Sequence, residues 1–314
     1  MPTRRDLLAL ACSALLAAPA DTQAVVLEMA MRGAGQIAEL TAIAEPDIGV
    51  IVNVGPAHLE LLGSIEAIAA AKAELIAGLA AGADVVVPAG EALLARHLRE
   101  DLEVTSFGED GDVQLRERRT DGSVVVAHRG RAMLLRPSFS QAHNLRNLLA
   151  AVAAARALGH TPDGALEVRF SSMRGQRVEL PGGVLLINDC YNANPMSMRA
   201  AIEDLTETAP ARRVAVLGDM LELGQDSARL HRELGARVAE LGIELLVTVG
   251  PLAAEIAHGR AGESHAAPDA ASAAELLDGL LCDGDTVLVK GSRGVGLELV
   301  AERLARTPAG SGQR

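Results

Sequence analysis

The sequence predicts an α/β protein made of two successive parallel β-sheets, each covered by helices. Short β-branched runs alternate with amphipathic helical patterns along most of the chain, and this order is typical of βαβ units. A length of 314 residues suits two domains better than one. Because a second alternating block begins near residue 180, we predict one domain over residues 1–174 and a Rossmann-like domain over residues 175–314.

The first block predicts a parallel sheet that continues into antiparallel strands. Its parallel strands are AVVLEM (24–29), IGVIVNV (48–54) and DVVVP (84–88), and its helical patterns cover residues 35–45, 64–80 and 142–160. Residues 111–137 differ, because short strand-forming runs are separated there by glycines at positions 122 and 130. Glycine turns between such runs indicate hairpins.

The second block predicts a doubly wound domain. Four apolar strand patterns are separated by helical patterns, and the strands cover residues 183–189, 212–220, 244–250 and 285–291. Four strands at this spacing are typical of a separate open sheet. We expect the last eight residues, TPAGSGQR, to be disordered.

Composition argues against several classes of function. Hydrophobic residues make up 49% of the chain and charged residues 22%, so a large core is available. The net charge of −12 argues against nucleic acid as the main partner, although small anions can still bind to backbone amides. Cys12, Cys190 and Cys282 lack CxxC spacing, which fits a reducing cytoplasm without structural zinc.

The N-terminus has two interpretations. Residues 1–24 contain the pair Arg4-Arg5, a short apolar run and an A-x-A pattern at residues 18–20, which together resemble an export signal. The alternative is an amphipathic segment of a cytoplasmic protein, and the looseness of the pattern favours it. No other stretch approaches the ~20 apolar residues that a membrane-spanning helix needs.

Polar side chains follow several predicted strands, at the edge where parallel sheets bind their ligands. They are Glu28, Asn53 and His58 in the first block, and Asp189, Asp219 and Lys290 in the second. Glu28 and His58 could together bind Mg²⁺ or Mn²⁺. They could also be loop residues with satisfied hydrogen bonds, and local sequence alone favours that interpretation.

Lys72 occupies a position where a leucine is expected. It interrupts the apolar stripe of the predicted helix 64–80, which consists of Ile65, Ile68, Leu75 and Leu79. The ammonium could extend to solvent, pair with a buried carboxylate such as Glu28, or be functional with a lowered pKa. A neutral lysine can also take up CO₂ and become a carbamate, which is an oxygen ligand for Mg²⁺. The residues alone favour an ammonium that extends to solvent.

Two turns in the second block place polar groups at a helix N-terminus. The run NDCYNANPMSM (188–198) contains the only tyrosine of the chain, and Asn194 before Pro195 is a good N-cap. The run KGSRG (290–294) also follows a strand and begins a helix. Both turns could bind an anionic or polar ligand, and both could be ordinary turns. The sequence contains no GxxxxGK[ST] phosphate-binding loop.

In combination, these runs closely resemble one known family. The matching segments include AHNLRNLLAAVAAARALG, INDCYNANPMSMRAAI, VAVLGDMLELG and LVKGSRG, together with the stretch from VLEM (26–29) through the helix of Lys72. They resemble the Mur ligases of peptidoglycan synthesis over residues 15–305. YNANPMSM, GDMLELG and KGSRG resemble the branch of the family that adds D-alanyl-D-alanine. The resemblance implies an incomplete Mur-ligase central domain with a parallel sheet, followed by a Rossmann-like C-terminal domain.

The resemblance implies ATP-dependent amide formation in the cytoplasm. ATP would phosphorylate the terminal carboxylate of a UDP-N-acetylmuramoyl-tripeptide, and the amine of D-alanyl-D-alanine would then displace the phosphate. The catalytic and Mg²⁺-binding residues would be Glu28, His58 and Lys72, the last as a carbamate.

The resemblance also implies contacts to nucleotide and substrate. The ATP contacts would be Asn144, Arg177, Asp189, Tyr191 and Asn194. The substrate contacts would come from the KGSRG turn, and they would be Lys290, Ser292 and Arg293. We expect a monomer.

The chain departs from the family at its start. The family has an N-terminal UDP-sugar domain followed by a Gly-Lys-Thr loop, and neither is found in these residues. We therefore expect this chain alone not to turn over ATP, and we expect an exposed sheet edge. The alternatives are a non-catalytic module that binds nucleotide or dipeptide, an exported binding protein, and a ligase for another amino acid. YNANP and KGSRG disfavour the last of these.

Overall fold

A computed structural model describes residues 17–258 and 262–306. The chain folds as two compact units, one ending at Val168 and the other beginning at Arg169. Both contain a mixed sheet with helices, which confirms the α/β class, whereas the domain boundary at 174/175 stays a prediction. Three sequence features lie outside the described residues, namely the twin arginine, Cys12 and the C-terminal TPAGSGQR.

The first unit contains a seven-stranded sheet whose spatial order follows the chain. Its strands are β1 (Ile48–Val50), β2 (Asp84–Pro88), β3 (Glu103–Phe107), β4 (Val113–Arg118), β5 (Val124–His128), β6 (Arg131–Pro137) and β7 (Gly164–Leu166). Strands β1 to β4 are parallel, β4 to β6 form an antiparallel meander, and β7 is parallel to β6. The predicted hairpins are confirmed, because Gly122 and Gly130 both have a φ of +81°, which favours glycine.

Within the described part of the first unit, five α-helices accompany this sheet: α1 (Gln36–Ala44), α2 (Leu59–Leu62), α3 (Ile65–Gly78), α4 (Ala92–Ala95) and α5 (Ala142–Ala157). Ser64 caps α3, since its Oγ accepts from the Ala67 amide at 3.1 Å. The buried face of α3 consists of Ile68, Ala69, Ala71, Ala73 and Ile76. The predicted helix is therefore confirmed, and small alanines provide much of its packing surface.

The predicted strand AVVLEM (24–29) is wrong. Residues 22–31 are irregular in the structure, and the side chain of Val26 is 96% exposed. β-branched residues favour extended backbone, but a strand needs a neighbour to pair with, and none of the described strands lies beside this segment. The predicted strand 48–54 is shortened for a similar reason. Its ladder with β2 ends at Val50, with one further bond from the Ile51 amide to the Val86 oxygen.

The second unit contains a six-stranded sheet. Its strands are β8 (Gln176–Glu179), β9 (Leu185–Asn188), β10 (Arg213–Gly218), β11 (Leu245–Val249), β12 (Glu263–Ala267) and β13 (Thr286–Lys290). The order is β12-β11-β10-β13-β9-β8, and only β8 is antiparallel to its neighbour. The four predicted strands are confirmed. The two edge strands were not predicted, because QRVE and ESHAA lack the apolar runs of buried strands.

Four α-helices among the described residues accompany the second sheet: α6 (Pro195–Thr208), α7 (Ser227–Glu240), α8 (Ala270–Leu280) and α9 (Glu298–Arg306). From β10 the chain moves outward to β11 and β12, and it then returns to β13 on the other side of β10. The strand order thus reverses between β10 and β13, and open α/β sheets bind ligands beside such a reversal. None of the helices in the described part of the chain is long and apolar enough to cross a membrane.

Two glycines bring β10 and β13 unusually close at their carboxyl ends. A Cβ at Gly291 would lie 3.1 Å from the Gly218 Cα and 2.7 Å from Leu297 Cδ1. Any larger residue at position 291 would therefore push the two strand ends apart. The glycine of the KGSRG turn is thus explained by close packing at the reversal point.

Candidate functional site

Lys290 and Asp189 form a buried ion pair at the carboxyl edge of the second sheet. Lys290 ends β13 and is 2% exposed, and Asp189 directly follows β9. The Lys290 Nζ donates to Asp189 Oδ2 at 2.6 Å and to the backbone oxygen of Asn192 at 3.0 Å. The other carboxylate oxygen accepts from the Gly175 amide at 3.0 Å. The structure therefore brings the two predicted turns together.

Ser292 and Asp219 connect β10 to the same edge. The Ser292 amide donates to the backbone oxygen of Asp219 at 3.0 Å, and the Leu221 amide donates to Ser292 Oγ at 2.9 Å. The Asp219 carboxylate accepts from the Ala253 amide at 2.6 Å. Both Ser292 and Asp219 are buried. These hydrogen bonds join the loop after β10 to the KGSRG turn and to the segment that begins at Ala253.

His231 is a buried residue of this region that was not predicted. It has no exposed surface, its Nε2 accepts from the Met220 amide at 2.9 Å, and its Nδ1 contacts the Ser227 oxygen at 2.7 Å. Since Nε2 accepts, Nδ1 carries the proton and donates. Burial lowers the pKa of His231 from its ordinary 6.5. The only signal in the sequence is a histidine on the face of α7 that also carries the buried Leu234 and Val238.

We expect His231 to make the stability of the protein depend on pH. Below pH 6.5 the unfolded chain binds a proton that the folded histidine resists, so stability is complete above that pH and falls as the pH falls. The slope from this residue is at most about 1.4 kcal/mol per pH unit. Urea unfolding at pH 7.5 and 5.5 measures it, with His231→Gln as the test variant and the exposed His258→Gln as the control. An unchanged pH slope in His231→Gln would contradict the expectation.

The YNANP turn combines a helix cap with an exposed aromatic ring. Asn194 Oδ1 accepts from the Ser197 amide at 2.9 Å, and Ser197 Oγ accepts from the Asn194 amide at 3.0 Å, which completes a capping box at α6. Tyr191 is 43% exposed, and the Arg174 guanidinium carbon lies 4.2 Å from the centre of its ring. The cap occupies Asn194, whereas the exposed part of the Tyr191 ring remains accessible to a ligand.

Arg177 pairs with α6 in this structure. It lies on β8, and its Nη2 donates to Asp204 Oδ2 at 2.7 Å and to Thr208 Oγ1 at 3.0 Å. Asp204 is buried. One edge of the guanidinium is thus occupied, and the predicted role of Arg177 in binding ATP stays a prediction.

Arg293 is the most exposed cation of the KGSRG turn. Its side chain is 47% exposed, its Nη1 lies 3.2 Å from the Met173 sulfur, and its Nη2 lies 4.0 Å from Glu298 Oε1. Both contacts are weak, because a thioether is a poor acceptor and 4.0 Å exceeds hydrogen-bond distance. Arg293 therefore has donors available for an anionic ligand, in contrast to Lys290.

Lys72 is half-buried on α3 of the first unit. Its ammonium makes no hydrogen bond or ion pair with any residue that the structure describes. Burial lowers the pKa of Lys72, and no carboxylate opposes this effect. Lys72 and Lys290 are the only lysines in the chain, although lysine and arginine together number 29. A general need for positive charge therefore does not explain an amine here that has no partner among the described residues.

The remaining predicted residues of the first unit lie on loops and at a helix start. Glu28 is exposed on the irregular segment, and His58 is half-buried at the start of α2 with a φ of +62°. Asn144 lies in the first turn of α5, and its Nδ2 lies 3.4 Å from Gln141 Oε1. No group of three or more His, Cys, Asp or Glu is arranged for a metal ion within residues 17–258 and 262–306.

The two units each contain a mostly parallel sheet, which makes this a two-unit α/β protein. In the second unit polar side chains lie where the strand order reverses, which is where open α/β sheets bind ligands. Two family models match the chain. The Mur ligase middle domain matches residues 3–155, and the Mur ligase glutamate ligase domain matches residues 173–293. The chain belongs to the Mur ligase family.

Curated relatives give the same result. The UDP-N-acetylmuramoyl-tripeptide–D-alanyl-D-alanine ligase of Bacillus subtilis is 34% identical over 94% of this chain and 67% of the relative. The Synechocystis protein of the same name is 36% identical over 94% of this chain and 66% of the relative. The chain thus spans about two thirds of the length of these relatives.

Solved structures match as well. MurF from Acinetobacter baumannii superposes with a TM-score of 0.84 at 30% identity, over 93% of this chain and 67% of that one. MurF ligase from Thermotoga maritima, solved in complex with ADP, superposes with a TM-score of 0.77 at 31% identity, over 90% of this chain and 66% of that one.

Proposed function

We propose that this chain carries the central and C-terminal parts of an ATP-dependent ligase that joins D-alanyl-D-alanine to UDP-N-acetylmuramoyl-tripeptide in peptidoglycan synthesis. The observation that carries the proposal is the 34% identity to the Bacillus subtilis ligase over 94% of the chain. Lys72 supports it, because its ammonium has no partner among the described residues and a lysine on the apolar face of the helix is costly for packing.

Lys72 is suited to carry a carbamate. Only a neutral amine adds to CO₂, and burial increases the neutral fraction by lowering the pKa of Lys72. The ammonium first loses one proton to water. The neutral amine nitrogen then forms a bond to the CO₂ carbon and releases a second proton to water, so the cation is replaced by an anion with two oxygens. No ion pair with a described residue must be broken for this step.

Glu28, His58 and the Lys72 carbamate would together hold Mg²⁺ in this proposal. The carboxylate and carbamate supply the oxygen ligands that Mg²⁺ prefers, and a few such groups suffice because Mg²⁺ in phosphoryl-transfer sites keeps waters and substrate phosphates. The ion would neutralise the charge on the transferred phosphate. The exposed position of Glu28 leaves its carboxylate accessible.

The polar edge of the second unit would contact the nucleotide and the substrate. Asp189, Tyr191 and Arg177 are proposed to contact ATP, and Asn194 would keep the turn in place through its capping box. In the first unit, Asn144 is proposed as a nucleotide contact on the family resemblance alone. The available donors of Arg293 suit the carboxylate of D-alanyl-D-alanine. The Thermotoga maritima relative, solved with ADP, supports nucleotide as the ligand. The location is proposed to be the cytoplasm, and the protein is proposed to be a monomer.

Product formation tests the proposed function. The chain in a full-length ligase context is incubated with ATP, Mg²⁺, UDP-N-acetylmuramoyl-tripeptide and D-alanyl-D-alanine, and the ligated peptide and phosphate are measured. The chain alone, which we expect not to turn over ATP, is assayed beside it. A ligase makes peptide and phosphate in equal amounts and only when both substrates are present, and L-alanyl-L-alanine is the matched control. Binding of ADP with no product would support the alternative, a non-catalytic binding module. Absence of both product and ADP binding would contradict both functions.

A further inference from the structure

The ammonium of Lys290 is fully engaged by the protein. Its acceptors are Asp189 Oδ2 at 2.6 Å, the Asn192 backbone oxygen at 3.0 Å and the Asp189 backbone oxygen at 3.4 Å. An ammonium has three N–H donors, so each donor has one acceptor. At 2% exposure, Lys290 has neither a free donor nor surface with which to contact a ligand.

All three acceptors belong to the strand-to-helix turn that follows β9. Two lie on Asp189 and one on Asn192, so the ammonium bridges both ends of a segment of four residues. The carboxylate is held a second time by the Gly175 amide. Its oxygens can accept more than two bonds, and its side chain is 22% exposed. Asp189 is thus fixed in orientation but remains accessible from outside.

The choice of lysine fits this geometry. An ammonium is a compact group with donors in tetrahedral directions, whereas a guanidinium is a wide planar fork that matches a single carboxylate. The three acceptors around Lys290 belong to three different groups, one carboxylate and two carbonyls. Apart from Lys72 and Lys290, every cationic side chain of the Lys/Arg type in the sequence is an arginine. Lys290 lies where the compact ammonium fits all three acceptors better than a planar guanidinium would.

We propose that Lys290 is a positioning residue, which holds the Asp189–Asn192 turn in its ligand-ready conformation and does not itself contact substrate. The proposal rests on the proposed function only where it assigns nucleotide as the ligand of Asp189. Of the two cations in the KGSRG turn, Arg293 is then the one that would contact an anionic ligand directly.

Tyr191 provides a reporter within the turn itself. The chain has one tyrosine and no tryptophan, so its intrinsic fluorescence comes from Tyr191 alone. We expect Lys290→Met to lower the tyrosine anisotropy and to raise acrylamide quenching about twofold or more. Lys290→Arg should fail to restore either value, because the planar fork does not reach the same acceptors. Unchanged anisotropy in folded Lys290→Met would overturn the proposal.

Arg213→Met is the matched control. Arg213 pairs with Glu244 at 2.9 Å at the start of β10, which is the opposite end of the same sheet. Its loss removes an ion pair from the sheet without touching the turn. A fall in Tyr191 anisotropy in Arg213→Met as large as in Lys290→Met would mean that any weakening of the sheet loosens the turn, and it would overturn the specific role of Lys290.

Wild-type protein allows a test that does not depend on how a variant folds. With ¹⁵N-lysine labelling, only Lys72 and Lys290 can give side-chain ammonium signals, and Lys72→Met assigns them. We expect Lys290 to give an ammonium signal protected from solvent exchange in the free protein, and Asp189→Asn to weaken that protection. A Lys290 signal that becomes protected only on addition of ADP or D-alanyl-D-alanine would overturn the proposal in favour of direct contact.

ADP titration separates this proposal from the proposed function. Where wild-type protein binds ADP, Lys290→Met should lower the affinity by about 10- to 100-fold, the range found when the partner that orients a ligating side chain is lost. Affinity equal to the wild type would overturn the positioning role. If wild-type protein binds no ADP, the nucleotide assignment fails, and the fluorescence and NMR results still decide whether Lys290 holds the turn.

Discussion

In a full-length ligase context, replacing Lys72 with leucine is expected to abolish ligation and leave a protein that is folded and slightly more stable. Leucine completes the apolar face of α3, where the lysine amine has no partner among the described residues. We expect a gain of about 1 kcal/mol in the free energy of unfolding, since a half-buried leucine contributes roughly half of its full burial energy. Activity should fall at least ~10²-fold, the scale found when one group that stabilises a transition-state charge is lost.

The opposite signs of the two effects make this test decisive. If Lys72 has only a structural role, the more stable Lys72→Leu variant should keep its activity. If Lys72 carries a carbamate, the variant should be more stable and yet inactive. Ligated product and urea unfolding are measured on the same preparation. Leu75→Met, one turn along the helix, is the matched control and should keep activity. Full activity in Lys72→Leu would show that Lys72 is only an interruption of the apolar stripe.

The carbamate itself can be supplied and observed. In Lys72→Ala, a small carboxylate such as propionate is expected to restore part of the activity, because it replaces the carbamate oxygens in the space left by the side chain. In wild-type protein with ¹³CO₂, a lysine carbamate signal should appear and should disappear in Lys72→Leu. Only two lysines are present, so the assignment needs no further variants. A carbamate signal that persists in Lys72→Leu would contradict the assignment to Lys72.

Replacing Gly235 with alanine is expected to destabilise the second unit by about 2 kcal/mol or more. In a helix, alanine is normally favoured over glycine by roughly 0.5–1 kcal/mol. Here α7 packs so closely against residues 253–257 that a Cβ at position 235 would lie 2.2 Å from the Ile256 backbone oxygen and 2.9 Å from its carbonyl carbon. Backbone atoms cannot turn away as a flexible side chain can, so the helix must move, and overpacking of this kind costs about 1–3 kcal/mol.

Gly279→Ala is the matched control for this prediction. Gly279 lies within α8, is exposed, and would place its Cβ where no atom comes within 4 Å. The same substitution should therefore stabilise the protein by roughly 0.5–1 kcal/mol through helix propensity. Thermal and urea unfolding of both variants measure the difference. A Gly235→Ala protein as stable as the wild type would contradict the close approach of α7 to the segment around Ile256.

Helices were predicted correctly where the apolar spacing extended over several turns and the capping residue lay next to the helix in the sequence. Helix α3 was predicted from its apolar spacing, and the cap at Ser64 lies next to it in sequence. The antiparallel strands were predicted because glycines at positions 122 and 130 separate short strand-forming runs, and in the structure both glycines have the positive φ that such turns need. In both cases the forces that decide the structure act within a few residues, so the sequence contains them.

Strand prediction failed at sheet edges. AVVLEM has strand-forming residues but no described neighbour to pair with, whereas ESHAA has weak propensity and pairs with β11. Pairing is a contact between segments far apart in the chain, and propensity describes only one of the two partners. The same limit applied to His231, whose role depends on Met220 in the loop that follows β10.

By itself, the sequence determined the α/β class, the position of most helices and inner strands, the family resemblance and the unusual lysine at position 72. Tertiary structure decided which polar groups meet and which remain free. It paired Lys290 with Asp189 across 101 residues and engaged its ammonium fully, while it left the Lys72 ammonium half-buried without a described partner. The physical reason is that burial and hydrogen-bond satisfaction depend on neighbours brought together by folding, so the residues beside a lysine in the sequence do not decide whether its ammonium finds a partner.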